Sequence, residues 1–312
     1  MKGVQIFHIY SYLESLIIAK GSFLSITISQ ILISPLTWIF FVFGTVLGSF
    51  FNVCIYRIPR EIFWQSNRSI CPHCGTQIPS WLNIPILSFL ALRGKTRCCG
   101  EKIPRYYPWV ELFSGLLVAY LYWRFPFFEK ALLPLLKTDT NTLIRFTHAL
   151  IFTSLLLICS VIDMQHMIIP DVISLPMVLL TPLVVLIHPD LTWQSALWGV
   201  LLGGGGVYAI AWLYLAVRGR EGIGMGDAKL LAAIGGWLGC QALIPTLLFG
   251  SISGSCIGIG LMIGKRRMNF QQEIPFGPFL ALGAALYLIA PIHWLEVLAK
   301  IHGLFFRSPA MP

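Results

Sequence analysis

Long apolar runs separated by short polar, mostly basic segments dominate the chain. Several runs reach or approach the roughly 20 residues that a helix needs to cross about 30 Å of hydrocarbon. The two-residue alternation typical of membrane β-strands is absent. Because backbone groups in hydrocarbon must hydrogen-bond internally, the pattern predicts an all-α polytopic membrane protein. The predicted spans number about eight and lie near 36–56, 106–123, 143–162, 172–187, 193–217, 228–243, 244–263 and 276–292.

Local features refine this division of the chain. The fifth span carries four consecutive glycines, Gly203 to Gly206, which permit close helix contact. The sixth span is short and glycine-rich, so a broken or tilted helix is expected. Residues 1–34 are apolar but interrupted by Lys20, which leaves both a surface helix and an additional span open. We therefore divide the chain into this N-terminal segment, a first transmembrane helix at 35–58, a polar loop at 59–105 and a helical membrane domain at 106–312.

Composition and charge agree with a membrane location. The chain is 56% hydrophobic and 11% charged, whereas soluble domains carry about 25% charged residues. Of its 22 basic residues, 14 fall in the loops 57–105, 163–171, 218–229 and 264–275, which predicts that these loops are cytoplasmic. The net charge of +9 is therefore attributed to cytoplasmic loops rather than to nucleic-acid binding. The N-terminal region has no short apolar stretch that ends in a small-residue cleavage site, so a removable signal peptide is not expected.

Two of the 13 acidic residues lie at the predicted cytoplasmic ends of spans. Asp163 closes the third span, in SVIDMQHMIIPD, and Asp227 opens the sixth, in GIGMGDAKLL. Between them the chain leaves the cytoplasmic side once and returns once, so both carboxylates are expected at one membrane depth. Acids at such positions indicate function. Two close carboxylates share a proton, so they can act together as acid and base in hydrolysis.

Other interpretations of these acids stay open at this point. Asp227 could cap the helix that follows it, and Asp171, which follows Pro170, could cap another. A transporter could also use paired membrane acids. The glycines Gly224 and Gly226 favour the peptidase interpretation, because they would let a substrate backbone approach the carboxylates closely.

The loop at 59–105 is the chain's cysteine-rich module. Cys71 and Cys74 form CPHC, a spacing typical of metal sites, and Cys98 and Cys99 follow after 23 residues. Disulfides are disfavoured in the cytoplasm, so these four cysteines predict a structural zinc site, with His73 as a competing ligand. The remaining cysteines lie in predicted spans and are expected to be packing residues: Cys54, Cys159, Cys240 and Cys256.

Six sequence blocks carry a resemblance to a known family. They are GSFFNVCIYRIPR (48–60), CPHCGTQIPSWLNIPILSFLALRGK (71–95), RYYPWVELFSG (105–115), IDMQHMIIPDVISLP (162–176), GMGDAKLLAAIGGWLG (224–239) and IPFGPFLALG (274–283). In this order the blocks resemble bacterial prepilin leader peptidase/N-methyltransferases, which are GxGD aspartyl peptidases. The resemblance implies that Asp163 and Asp227 are the catalytic pair and that Asp171 is a supporting residue. Presenilin-like proteases share GxGD, but they pair it with YD, whereas this chain has ID.

The resemblance further implies an activity, its substrates and a location. Such an enzyme cuts the basic leader of type IV prepilins and type II secretion pseudopilins after a glycine, at the cytoplasmic face of the bacterial inner membrane. It then methylates the new N-terminus with S-adenosylmethionine. Prepilins, pseudopilins and membrane lipid are the expected partners. Residues 106–312 are accordingly expected to form the peptidase domain.

The cofactor sites are less completely specified by the sequence. The family's second cysteine pair has the spacing C-x-x-C, whereas this chain has Thr96 at the first of those positions and Cys98 beside Cys99. No G-x-G-x-x-G pattern follows a strand, so a Rossmann-type cofactor site is not expected. The methyltransferase candidates are Gly94 and Glu111, although Glu111 could equally be a helix-end carboxylate paired with a loop arginine.

Overall fold

The fold was analysed in a computed structural model that describes residues 35–63, 69–71, 73–128, 139–219, 224–264 and 274–289. The N-terminal segment 1–34 lies outside the described residues. No strand occurs within these ranges, and two isolated β-bridges join described residues of the cysteine-rich loop, Ile70 with Gln77 and Lys95 with Lys102. The helices are α1 (Pro35–Arg57), α2 (Leu87–Ala91), α3 (Tyr106–Arg124), α4 (Thr140–His166), α5 (Asp171–Leu179), α6 (Thr181–Ile187), α7 (Trp193–Val200), α8 (Val207–Arg218), α9 (Met225–Leu238), α10 (Leu243–Gly264) and α11 (Gly277–Ile289).

The all-α membrane fold is confirmed. By length and composition, four helical stretches within the described residues can cross a membrane: Pro35–Arg60, Thr140–His166, Trp193–Arg218 and Cys240–Gly260. A shorter apolar helix covers Gly277–Ile289. The other predicted spans coincide with helices that are shorter or less apolar, so the count of eight stays a prediction.

The predicted span near 172–187 does not form one continuous helix. The segment forms two short helices, α5 and α6, that meet at Leu180. Pro182 stands in the first turn of α6 and has no N–H, so it cannot donate the hydrogen bond that would continue α5.

Glycines bring the fifth predicted span against helix α9. Between α7 and α8 the backbone forms a π-helix, Leu201–Gly206. A Cβ atom at Gly203 would lie 2.5 Å from the carbonyl oxygen of Leu231, and one at Gly204 would lie 2.8 Å from Cβ of Ala232. Gly205 and Gly206 have no such neighbour within 4 Å. The expected close helix contact therefore occurs at two of the four glycines.

Helix α9 lies at the centre of the packed helices. It contacts α5, α7, the π-helix and α11, and residues 228–237 are buried except Lys229. The helix is uninterrupted from Met225 to Leu238 and ends at Gly239, whose φ of 85° a side chain would disfavour. The helix is therefore short but not broken, and Asp227 stands in its first turn.

Helices α1 and α3 form a second closely packed pair. A Cβ atom at Gly44 would lie 2.6 Å from the carbonyl oxygen of Ser114, and one at Gly48 would lie 2.7 Å from Cα of Glu111. Small residues thus let the two backbones approach closely, as in other membrane helix pairs. This contact fixes the buried side chains of Asn52 and Glu111 on facing helices below the cysteine-rich loop.

Candidate active site

Asp163 is a buried carboxylate at the end of α4. The helix stops because Met167 adopts a left-handed conformation (φ 55°), with its N–H bonded to the carbonyl oxygen of Asp163. Only 5% of Asp163 is exposed. Its Oδ2 accepts a hydrogen bond of 3.0 Å from the backbone N–H of Gly277, the first residue of α11. The positive end of that helix therefore faces the carboxylate.

The structure brings Asp227 to the same place. The side chain of Ile169, in the loop after α4, packs between Gly226, which is next to Asp227, and Gly277, which donates to Asp163. A Cβ atom at Gly226 would lie 3.2 Å from Cβ of Ile169, and one at Gly277 would lie 3.3 Å from its Cδ1. The carboxyl groups of Asp163 and Asp227 are close enough to interact electrostatically. Two acids from α4 and α9 thus form one site, and a shared proton is the expected consequence.

The supporting residues surround this pair. Gly224 precedes α9, and a Cβ atom on it would lie 3.5 Å from Oδ2 of Asp227. Asp171 opens α5 and its Oδ1 forms a 2.7 Å ion pair with Nζ of Lys229, two residues beyond Asp227. This ion pair joins the starts of α5 and α9. Asp171 is therefore linked to the helix that carries Asp227, and Asp227 stands inside that helix rather than at its N-cap position.

Gly277 is a site residue that sequence reasoning missed. Its N–H contacts Asp163 across 114 residues of chain. A Cβ atom at this position would lie 2.7 Å from Oδ2 of Asp163, closer than real Cβ contacts come. The block IPFGPFLALG carried part of the family resemblance, and a glycine followed by a proline at a helix start could have drawn attention to it.

The four predicted metal ligands converge in the cysteine-rich loop. The Sγ atoms of Cys71, Cys74, Cys98 and Cys99 all lie within 4.8 Å of one another. Three of the pairs are separated by 3.3, 3.8 and 4.0 Å. Sulfur atoms at the corners of a tetrahedron around zinc, with Zn–S of about 2.3 Å, would be ~3.8 Å apart. The cluster therefore has the size of a tetrahedral thiolate site.

Cys98 takes the place that the family pattern gives to the residue at Thr96. Oγ1 of Thr96 lies 3.1 Å from Sγ of Cys99, at the edge of the cluster, while Cys98 approaches Cys74 to 3.3 Å. His73 is exposed and does not belong to the group. Hydrogen bonding between Cys74 and Thr76 lowers the pKa of the Cys74 thiol to about 6, whereas the bond with Cys74 raises the pKa of the Cys98 thiol to about 12.

The other cysteines differ in their surroundings. Cys54 and Cys159 are buried in the helical core, as expected for packing residues, and Cys240 is half-buried. Cys256 is exposed on α10, so the expectation that it packs in the interior is wrong.

A cavity of about 460 Å³ lies between this loop and the α1–α3 pair. Its size falls within the range of small-molecule sites. Its floor holds two buried polar side chains, Asn52 and Glu111. Nδ2 of Asn52 donates to the carbonyl oxygen of Tyr107, but Oδ1 has no partner among the described residues. A buried amide oxygen without a partner is costly, so Oδ1 is available to accept a hydrogen bond from a ligand or from water in the cavity.

The two methyltransferase candidates occupy different positions. Glu111 lines the cavity and accepts a 2.7 Å hydrogen bond from the backbone N–H of Ile86, and no arginine in the part of the loop that the structure describes forms an ion pair with it. Gly94 forms a turn with φ of 70°, and its missing Cβ would lie 3.1 Å from the ring of Phe89, which itself lines the cavity. Gly94 therefore does not line the cavity itself but packs against Phe89, which does.

Two tyrosines connect the cavity with the aspartate pair. Tyr107 lines the cavity, and the ring of Tyr106 beside it is 4.9 Å away. The Tyr106 hydroxyl interacts with the side chain of Gln165, two residues after Asp163. The two sites are therefore neighbours on the side of the molecule where α1 and α4 end.

Comparisons with known proteins agree with this arrangement. Residues 42–125 match the Bacterial Peptidase A24 N-terminal domain, and residues 150–259 match the Type IV leader peptidase family. The chain is 36% identical to a prepilin leader peptidase/N-methyltransferase of Stutzerimonas stutzeri, over 80% of this chain and 88% of that protein. It is 33% identical to the protein of the same name from Dichelobacter nodosus, over 91% and 99%. No solved structure matches the chain significantly.

The two matched regions contain the predicted residues of both sites, whereas Gly277 lies beyond them. The first contains the cysteine cluster and Glu111, and the second contains Asp163 and Asp227. Relatives more than 30% identical align with most of the chain and with most of their own length. From the matched regions and these relatives, it follows that the chain belongs to the type IV leader peptidase family.

Proposed function

We propose that this chain is a bifunctional membrane enzyme that cleaves the leader peptide from type IV prepilins and pseudopilins and then N-methylates the new terminus. The observation that carries the cleavage is the meeting of Asp163 and Asp227 at the ends of two helices. The names of its relatives state both activities. The family match over residues 150–259 supports the proposal of a peptidase domain at 106–312.

The aspartate pair can hydrolyse a peptide bond without a further group. One carboxylate is ionised and takes a proton from water, while the protonated carboxyl donates its proton to the carbonyl oxygen of the scissile bond. The proton taken from water then passes to the amine that leaves. Gly224 and Gly226 leave room for the substrate backbone beside Asp227. The pair titrates as a unit, so acid and base are not assigned to single residues.

The two parts of the substrate reach the enzyme from different surroundings. Its apolar helix lies in membrane lipid among the spans, and its basic leader stays in the cytoplasm, where the basic loops of this chain are predicted to lie. Cleavage after a glycine fits a site at the end of α4, close to the cytoplasmic face of the inner membrane. Nucleic acid has no part in this function, because the positive charge serves orientation in the membrane.

The methylation site is the cavity above Asn52 and Glu111. S-adenosylmethionine, when bound there, supplies the methyl group for the amine. Glu111 can hold the new N-terminal ammonium and take up the proton that it loses before methylation. Oδ1 of Asn52 can accept a hydrogen bond from the amine or from the methyl donor, which would satisfy an otherwise unpartnered buried atom. Gly94 supports the wall through Phe89.

Zinc at Cys71, Cys74, Cys98 and Cys99 has a structural role in this proposal. Four protein ligands leave no open position for a substrate. The loop has only one buried cysteine and few buried apolar side chains, so the metal holds together its two ends, at 71–74 and 98–99. It thereby fixes the roof of the methylation cavity.

The test is incubation of the purified, reconstituted protein with a prepilin and S-adenosylmethionine labelled in its methyl group. Cleavage is followed by the shift in pilin mass, and methylation by label on the mature N-terminus. Both are expected from the wild type. An uncut prepilin would refute the peptidase assignment, and a cut but unlabelled product would refute only the methyltransferase assignment.

A further inference from the structure

Residues 80–92 form an apolar segment outside the predicted spans. Within it are the short 3₁₀ turn Ser80–Asn83 and helix α2, Leu87–Ala91. Four large apolar side chains repeat every three residues and are each about half exposed or more: Trp81 (57%), Ile84 (49%), Leu87 (63%) and Leu90 (64%). Leu82 and Phe89 line the methylation cavity, and the half-exposed Ile84 borders both the cavity and the outward face. The segment thus presents one apolar face inward and one outward.

The segment runs beside the membrane helices rather than above them. The N–H of Ile86 donates to Oε2 of Glu111, which is five residues into α3 and therefore ~7 Å along its axis. The backbone of Glu111 in turn packs against Gly48, nine residues before the end of α1, or ~13 Å along that helix. The middle of the segment therefore reaches the depth of interior turns of both helices.

The charges around the segment have one sign. From residue 62 to residue 100 the chain contains no Asp or Glu. The apolar stretch is followed at once by the exposed basic side chains of Arg93, Lys95 and Arg97. The guanidinium of Arg97 stands over the ring of Trp81, 4.9 Å from its centre. A basic edge thus borders the outward apolar face, an arrangement that favours anionic lipid headgroups.

We propose that residues 80–92 lie in the membrane interface as a non-spanning segment, with their outward face among acyl chains and Arg93 and Lys95 among anionic headgroups. Thirteen residues are too few to cross the hydrocarbon. Lipid therefore covers the outward face, while the inward face closes the cavity beside Glu111. The bilayer itself becomes part of what holds the methylation site in shape.

The proposal rests on the membrane location of the chain and not on either catalytic activity. Its test is photo-crosslinking in vesicles of phosphatidylcholine and phosphatidylglycerol, with benzophenone-alanine at Leu87 or, as a second position, at Leu90. Val42, which is 58% exposed on α1, is the lipid-facing reference, and the exposed Glu101 on the polar side of the loop is the negative reference. Mass spectrometry then identifies the adducts.

The expected result is lipid adducts at Leu87 and Leu90 in yields like those at Val42, and none at Glu101. Phosphatidylglycerol should be enriched in the adducts by about threefold over its share of the vesicle, and Arg93→Gln with Lys95→Gln should remove this enrichment. Lipid yields at both positions as low as at Glu101 would overturn the proposal. Adducts to a second copy of the chain or to an added prepilin in place of lipid would overturn it too.

Discussion

The backbone N–H of Gly277 lies 3.0 Å from Oδ2 of Asp163, so the first residue of α11 holds a carboxylate at the last turn of α4. The contact places the positive end of one helix against an acid that is almost fully buried. It fixes the direction of the carboxylate without using a side chain. The position of the Asp163 carboxylate therefore depends on Gly277, which has no side chain and contributes only its backbone N–H.

Gly277→Ala is expected to lower leader cleavage by about 10- to 100-fold. The new Cβ atom would lie 2.7 Å from Oδ2 of Asp163 and must displace the carboxylate, and small misplacements of catalytic groups are costly. Methylation of a pilin that is already cut should change little. The control is Gly260→Ala, since a Cβ atom at Gly260 meets nothing within 4 Å. Equal cleavage rates for the two variants would contradict a positioning role.

Asp163→Asn and Asp227→Asn are each expected to reduce cleavage by about 10²-fold or more, because an amide can neither take nor give the required proton. Asp171→Asn is the matched control. It removes an exposed ion pair with Lys229, which is worth at most about 1 kcal/mol, so activity should stay within about fivefold of the wild type. Cleavage kinetics with a prepilin substrate measure all three. Full activity of either dyad variant would refute the assignment.

Cys98→Ser is expected to lose zinc as completely as Cys71→Ser. A structural thiolate site contributes about 10 kcal/mol or more, so loss of one ligand should also make the loop sensitive to protease. Cys240→Ser, outside the cluster, should retain the metal. Elemental analysis after purification without chelators gives the measurement. One equivalent of zinc in Cys98→Ser would show that Cys98 is not a ligand.

The double variant Thr96→Cys with Cys98→Ser should recover zinc. It restores the family spacing C-x-x-C, and Oγ1 of Thr96 is already 3.1 Å from Sγ of Cys99. Recovery would demonstrate that the two positions are alternative corners of one site. If the double variant binds no more zinc than Cys98→Ser alone, the loop does not tolerate the exchange, and Thr96 has no access to the metal position.

Glu111→Gln is expected to lower methylation by about 10²-fold and to leave cleavage nearly unchanged. The amide keeps the shape of the side chain and can still accept the N–H of Ile86, but it cannot take the proton from the amine. Glu101→Gln, which changes an exposed acid in the cysteine-rich loop, is the control. Parallel assays of leader cleavage and methyl incorporation distinguish the outcomes. A parallel loss of both activities would indicate a structural role for Glu111.

The sequence by itself determined the all-α membrane fold, the approach of Asp163 to Asp227 and the grouping of the four cysteines. Long apolar runs predict membrane helices, and the alternation of spans and loops restricts which helix ends lie on the same side of the membrane. The metal-site prediction likewise begins from a local pattern, the spacing of Cys71 and Cys74 in CPHC. These patterns depend on residues close in sequence or on the two sides of a membrane, so they can be interpreted without knowing how the helices pack.

Tertiary structure alone decided the contact of Gly277 with Asp163, the break between α5 and α6 within a predicted span, and the cavity between Asn52 and Glu111. It also showed that Cys98 completes the cluster beside Thr96 and that residues 80–92 run along α1 and α3. Each of these features depends on the distance between helix surfaces. That distance is set by packing at glycines such as Gly48, whose contacts lie far along the chain, and no local pattern records it.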